Sequence, residues 1–575
     1  MLFSKRVEAI LNGLTGSLQT KRTTICLVLI LVFGSVSRTF NLQSNLPSYF
    51  SDEVDIAYQV RSLITTGRDY EGYRWPLQIH SFSDNRTSIP IYLTLIMTVI
   101  FRLSELVAVR LVPAVFGILG ILFTYLLINQ VFAAKAPYIG LIGAFLLSIS
   151  PWHMHYSRTG FEVSVLYLFL SAGLYFFGRF QQGEGPVAAI VSWLFLSLTP
   201  LVYSTAKLSI IFLPLVFWLW PRSKRSILLS WKGMIFITTL FLPLAIILFQ
   251  GGAAKRFRDI SIFTDPAVVS KVNSARQILP NQNTTSGTLL STLSIISHNK
   301  VRYWSETVIS NIAKSLSPGF LFINGDSLPR HSAPGFGLLH KSYALLIVFG
   351  LLALVADNKK TKKIILTILV LIGLSVVPSA LTRDGATHAT RLFLLNLPLL
   401  LLASLGLSRL LSLNKKIAAV FLLLLVFETI NYQYFYFTKY FISTEKYWHA
   451  GIKEAVEAAG KFPGKSIIIS PTFEPPLIFY LYYANVQPGY FQKLFKESTF
   501  LTPIDQSLNL EGFRFDSKDI YFAKLKNKAE NKPLKIPNAV YFQTDSDLPP
   551  LMRRAPTGAV VLPSGRTVYK YMITD

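Results

Sequence analysis

Between Thr24 and Phe437 the chain is a succession of apolar runs, most of them near bilayer-spanning length, separated by short clusters of lysine and arginine. Inside hydrocarbon every backbone N–H and C=O must be paired within the protein, so such runs can fold only as membrane helices. Composition agrees: of 575 residues 51% are hydrophobic and 15% charged, with a mean hydropathy of +0.44, too apolar for a soluble chain of this length. The formal charge of +26 does not point to nucleic acid. Its lysines and arginines flank apolar runs rather than alternating with aromatics on one polar face, the pattern of membrane topology and lipid contact. A single cysteine, Cys26, lies inside the first run and provides neither a disulfide framework nor a thiolate metal site.

Sidedness follows from the basic clusters. Lys5, Arg6, Lys21 and Arg22 hold the N-terminus in the cytoplasm, and Ser35-Val36-Ser37 is too weak a cleavage pattern to turn the first run into a signal peptide. Ile89 to Phe101 is too short to span and reads as an interfacial helix. About eleven spans then place Lys135, the basic residues at 222–225, those at 359–363, and Lys415 and Lys416 inside. The expected organisation is a cytoplasmic N-terminus (1–23), a transmembrane domain (24–437) with external loops at 41–105 and 251–341, and a soluble extracytoplasmic α/β module (438–575). In that module Glu445 to Ala459 has helical periodicity, and Ser466 to Ser470 and Val540 to Gln543 read as strands. Ala559 to Leu562 and Thr567 to Tyr571 read as a hairpin.

Polar residues gather at the outer span mouths. Ser51-Asp52-Glu53-Val54-Asp55 follows the first span, with Asp52 a candidate N-cap of a helix from Val54 to Thr66 stopped by Gly67. Arg158 and Glu162 share one loop, Asp326, Arg330 and His331 another, and Arg383, Asp384, His388 and Arg391 a third. Carboxylates beside hydrocarbon persist mainly where a cation or a reaction uses their charge.

Four stretches carry a family resemblance: Asp52-Glu53; Ser150-Pro151-Trp152-His153 running to Ser157-Arg158 and Glu162; Ser317-Pro318-Gly319-Phe320 with Gly325-Asp326 and Arg330-His331; and His388-Ala389-Thr390-Arg391. With them the chain resembles the polyprenyl-phosphate-dependent glycosyltransferases of the GT-C fold, the protein O-mannosyltransferase and aminoarabinose transferase group of glycosyltransferase family 39. One departure is Glu162, where the aminoarabinose transferases have aspartate.

The resemblance implies an all-α polytopic membrane enzyme moving a sugar from a polyprenyl-phosphate donor to a hydroxyl of a glycan, lipid or protein acceptor on the extracytoplasmic face, with membrane lipids as further partners. Asp52, ionised at neutral pH, would be the general base, with inversion at the anomeric carbon, and Glu53 or Glu162 would orient the acceptor or hold a cation. Arg158, Arg330, His331, His388 and Arg391 would stabilise the departing phosphate, with Asp326 among them and Lys207 a weaker candidate. No cofactor is demanded, although Asp52, Glu53, Asp55 and Glu162 offer oxygens to a divalent cation. The alternative is a polytopic transporter or flippase, which should show an inverted repeat that this sequence lacks.

Overall fold

The computed structural model describes residues 21–82, 85–132, 138–221, 230–249, 253–277, 296–356, 358–472, 476–504, 510–525, 536–544, 547 and 556–574. The basic clusters at Lys135 and at 222–225 lie outside these residues. The chain divides into two compact units, one of residues 1–40 and 113–434, the other of residues 41–112 and 435–575.

Among the described residues seven helices are long and apolar enough to cross a membrane: Lys21–Thr39, Glu105–Phe132, Val163–Gln181, Trp231–Phe249, Thr361–Ala380, Phe393–Leu413 and Lys415–Thr438. Four shorter apolar helices, Ile139–Ile149, Pro186–Leu201, Ala206–Leu219 and Lys341–Ala356, fall at the remaining expected spans. The protein is a multi-pass membrane protein, with a helix for every expected crossing. Ser88–Phe101 is also helical and, at 14 residues, about 21 Å long, it falls short of the roughly 30 Å hydrocarbon layer.

Inside the first unit, small residues let helices approach where lipid offers no hydrophobic drive to association. A Cβ on Gly350 would lie 1.9 Å from the carbonyl oxygen of Leu402, and one on Gly406 would lie 1.9 Å from that of Leu346. Neither position accepts a side chain without parting Lys341–Ala356 from Asn396–Leu413.

The second unit differs from the expected boundary. The expected soluble module is 438–575, with the loop at 41–105 counted in the transmembrane domain; here 41–112 and 435–575 form one compact unit. Apolar and polar contacts both explain this. Phe491 packs its ring on Tyr58, Tyr70 and Phe82, and the Gln492 amide donates to Ser62, Thr66 and the Asp69 carbonyl.

The sheet of this unit has seven strands: β3 (Ser466–Ile469), β4 (Leu501–Pro503), β5 (Leu510–Phe515), β6 (Ile520–Leu525), β7 (Ala539–Gln543), β8 (Gly558–Val561) and β9 (Thr567–Ile573). Their order is β4-β5-β6-β3-β7-β9-β8, counting the small β1 (Gln78–Ile79) and β2 (Arg86–Thr87) pair first. β3 is central and runs parallel to β6 and β7, which accounts for its unbroken apolar run, buried on both faces. The β8–β9 hairpin forms as expected. The helical reading of 445–459 is corrected: a 3-10 turn at Glu445–Trp448 ends in left-handed His449, and the α-helix starts only at Ile452.

Candidate active site

Asp52 and Glu53 are neighbours with different fates. The helix begins at Ser51 rather than Val54, and its N-cap is Phe50, so Asp52 stands one position inside the first turn instead of capping it. Glu53 reaches back to accept from the Phe50 N–H at 3.3 Å. Carboxylates in a first turn suit the positive end of the helix dipole, and Gly67, at φ +67°, closes the helix in the left-handed conformation expected of a terminal glycine. Successive helical residues point about 100° apart. Glu53 is therefore fully buried against Arg110, Nε to Oε1 at 2.8 Å and Nη2 to Oε2 at 2.8 Å. The Arg110 guanidinium also lies 3.8 Å from the centroid of the Tyr49 ring. Asp52 faces the other way, its side chain 47% exposed.

Asp52 opens onto a cavity of about 610 Å3. Its polar wall is Ser51, Asp52, Asp55, Glu71, Ser81 and Arg86; its apolar wall includes Leu477, Phe495 and Phe500 from the C-terminal segment. Arg86 bridges the two aspartates, with Nη2 2.7 Å from Asp52 Oδ1 and Nε donating to Asp55. Asp55, buried, also accepts from the Tyr70 hydroxyl at 2.9 Å and Ser81 Oγ at 3.2 Å. Burial pushes the Asp55 carboxyl up, against the pull of Arg86 and the Tyr70 hydrogen bond. Glu71 is pushed up to about 7, first by burial, with the charges of Asp69 and Asp55 adding to it and His80 opposing. The cavity thus offers one carboxylate paired with a cation and open to solvent, and one carboxyl that holds its proton near neutrality.

Arg86 and Glu71 were missed in the sequence. Arg86 lies inside Asn85-Arg86-Thr87, which has the form of a glycosylation acceptor, and it sits 34 residues from Asp52. The pairing of β1 with β2 sets its backbone opposite Ile79.

In the first unit the other three quoted stretches meet. The Asp326 carboxylate accepts from His331 Nδ1 at 3.0 Å, from the Leu328 N–H at 2.9 Å and from the Ala389 N–H at 2.9 Å. The rings of His331 and His388 lie 4.8 Å apart. Trp152 Nε1 donates to the Ala389 carbonyl, Tyr156 bonds to Thr390 Oγ1, and the His155 Nε2–H donates to the Arg330 carbonyl. Burial alone would raise the Asp326 carboxyl, but the hydrogen bond and charge of His331 and the two N–H groups hold it below the usual range. Gly325 makes the turn before it: at φ +69°, a Cβ there would stand 2.6 Å from Ser332 Oγ and 2.7 Å from the Phe336 carbonyl oxygen.

The remaining expected residues are placed as follows. Arg158 is fully buried and donates to the carbonyls of Ser37 at 2.9 Å and Phe40 at 2.8 Å, closing the C-terminal end of the first helix. Those contacts, and the Arg110 pair of Glu53, are those of structural supports rather than of ligand-facing groups. Arg391 donates to Thr382 Oγ1 at 2.7 Å within its own loop. Glu162 occupies the N-cap position of Val163–Gln181, and Lys207 sits on the short helix Ala206–Ser209, both half-buried.

No family model and no curated protein matches the sequence. Solved structures do match. ArnT from Cupriavidus metallidurans bound to undecaprenyl phosphate aligns over 96% of this chain and 98% of its own, at 12% identity and a TM-score of 0.50. The oligosaccharyltransferase AglB from Archaeoglobus fulgidus, in complex with an inhibitory peptide and a dolichol-phosphate, aligns at 14% identity and a TM-score of 0.48 over 81% of this chain, which spans 64% of its length. The S. cerevisiae Pmt1-Pmt2 complex aligns over 40% of the chain, at 15% identity and a TM-score of 0.32.

The chain has the GT-C fold of integral-membrane glycosyltransferases, with a small C-terminal sheet region. At the level of fold, the resemblance drawn from its motifs is borne out.

Proposed function

We propose that this protein is an integral-membrane glycosyltransferase that moves a sugar from a polyprenyl-phosphate donor to an acceptor hydroxyl. The observation that carries the reading is the cavity at Asp52: a solvent-open carboxylate at a helix N-terminus, held by Arg86 and backed by an apolar wall. ArnT, which shares the fold, is bound to undecaprenyl phosphate in its solved structure.

In this reading Asp52 takes the acceptor proton as the hydroxyl attacks the anomeric carbon from the side opposite the phosphate, inverting it. Arg86 fixes the carboxylate's orientation. Glu71 is a second proton-carrying group in the same cavity. Arg330, His331, His388, Arg391 and Lys207 are proposed to serve the phosphate, with Asp326 orienting His331. The N-terminus is proposed to be cytoplasmic and the C-terminal segment extracytoplasmic, where it walls the acceptor cavity. The sugar is proposed to be a hexose or a pentose. A transporter is not favoured, because the sequence shows no inverted repeat.

The test is transfer of labelled sugar from synthetic polyprenyl phosphosugars by the purified protein. Wild type should transfer, and Asp52→Asn should lose about 100-fold or more at unchanged thermal stability. Equal rates would overturn the base assignment, and no transfer from any donor by wild type would overturn the activity.

A further inference from the structure

We propose that the cavity at Asp52 takes an uncharged sugar ring as the acceptor, and that Glu71 selects it. That the bound sugar is an acceptor rests on the transferase reading; that the cavity binds a sugar does not. The two walls differ in kind. One carries Ser51, Asp52, Glu71 and Ser81, groups that exchange hydrogen bonds with hydroxyls. The other presents aromatic faces: the rings of Phe82 and Phe500 lie 6.0 Å apart and those of Phe495 and Phe500 5.1 Å apart, both pairs stacked. An aromatic face is negative and attracts polarised C–H bonds. A sugar ring has both surfaces, hydroxyls around its edge and C–H bonds on its face. At about 610 Å3 the cavity falls in the range of roughly 300–1,000 Å3 that encloses a small ligand.

A fixed turn presents Glu71 to this space. Asp69 accepts from the Tyr73 N–H at 2.8 Å and pairs with His80 Nδ1 at 2.9 Å. Tyr70 gives its hydroxyl to Asp55 at 2.9 Å and takes the Phe82 N–H at 3.0 Å. Gly72, at φ +99°, completes the turn. Yet among the described residues the carboxyl of half-buried Glu71 has neither a hydrogen-bond nor an ion-pair partner, which leaves it open to a ligand's hydroxyl. Holding its proton near neutrality, chiefly through burial, it both donates and accepts, as a hydroxyl does. Charge sets the limit on what enters. The only basic side chain among the described lining residues, Arg86, already bridges Asp52 and Asp55. An anionic acceptor at Asp52 would face like charge beside an apolar wall, where repulsion is strong.

The experiment uses the full chain in phospholipid nanodiscs, free of sugar-based detergent. Binding is read by saturation-transfer NMR on the methyl glycosides of glucose, galactose and mannose and on the methyl uronide of each. At least one neutral glycoside should bind, with its ring C–H signals most strongly saturated, and its uronide should bind at least about 10-fold more weakly. Glu71→Ala should weaken the glycoside about 10-fold, the loss of one hydrogen bond. Glu71→Gln, which still donates and accepts, should retain it and shows that the cavity is intact. Glu71→Lys should reverse the preference toward the uronide. Equal binding of glycoside and uronide, or wild-type affinity in Glu71→Ala, overturns the inference. Failure of every glycoside to bind also overturns it, and sugar transfer to a serine peptide or a long-chain alcohol in that case leaves the transferase reading standing. Glycoside binding lost in Glu71→Ala, by a protein that transfers sugar from no polyprenyl donor, upholds the ligand of the cavity and overturns the transferase reading instead.

Discussion

Glu53 and Arg110 form a bidentate ion pair whose side chains are 0% and 1% exposed. The pair joins the first turn of Ser51–Thr66 to the start of Glu105–Phe132. Removing one partner strands a buried charge, which costs about 3–5 kcal/mol. Arg110→Met should therefore lower the thermal midpoint sharply, and the double variant Glu53→Leu/Arg110→Met should recover much of the loss. Asp52→Asn, one residue away, should leave the midpoint unchanged. Thermal unfolding in detergent, read by intrinsic fluorescence, distinguishes the two neighbours.

Arg86 neutralises Asp55 inside the cavity wall. In Arg86→Ala the buried carboxylate loses its cation, its pKa rises further, and the folded state binds a proton that the unfolded state has released. Stability of the variant should fall as pH rises from 5 to 8. At pH 8 the deficit should reach about 3 kcal/mol, with most of it recovered by adding Asp55→Asn. A pH-independent deficit would show that Arg86 acts through packing alone.

Glu71 titrates at about 7 in the folded protein, raised from the ordinary 4.5. A carboxyl raised in this way favours folding least when ionised: between the two values the folded state holds the proton and the unfolded state does not, so stability falls with rising pH. Relative to Glu71→Gln, wild type should lose thermal stability between pH 5 and pH 8. Parallel midpoint curves for the two proteins would place the group's titration elsewhere.

Arg158 caps the end of Lys21–Thr39 through the carbonyls of Ser37 and Phe40. Arg158→Met leaves two buried acceptors without this donor, at about 1–3 kcal/mol each. A lower melting point with unchanged affinity for polyprenyl phosphate is expected. A loss of affinity at constant stability would return Arg158 to the phosphate site.

Some of this was legible in the chain because it depends on local composition. Apolar length and the basic clusters located each membrane helix, since lipid admits only helices there. Gly67 marked a helix end, and the pairing of strands 558–561 and 567–573 followed from the turn between them. The acids, histidines and arginines at the span mouths were visible as residues, and three of their four stretches do meet.

Their roles were not legible. Asp52 and Glu53 are chemically alike and adjacent, and a rotation of one helical step exposes the first and buries the second. Arg86 enters the site through a two-strand pairing, and the C-terminal wall of the cavity comes from Leu477 and beyond, far from Asp52 in the chain; sequence patterns report periodicity, not long-range contact. The sequence by itself determined that this chain crosses a membrane as a bundle of helices with polar mouths, because the solvent enforces it. Only the tertiary structure decided which charge meets which, because each buried carboxylate takes the cation that packing delivers to it.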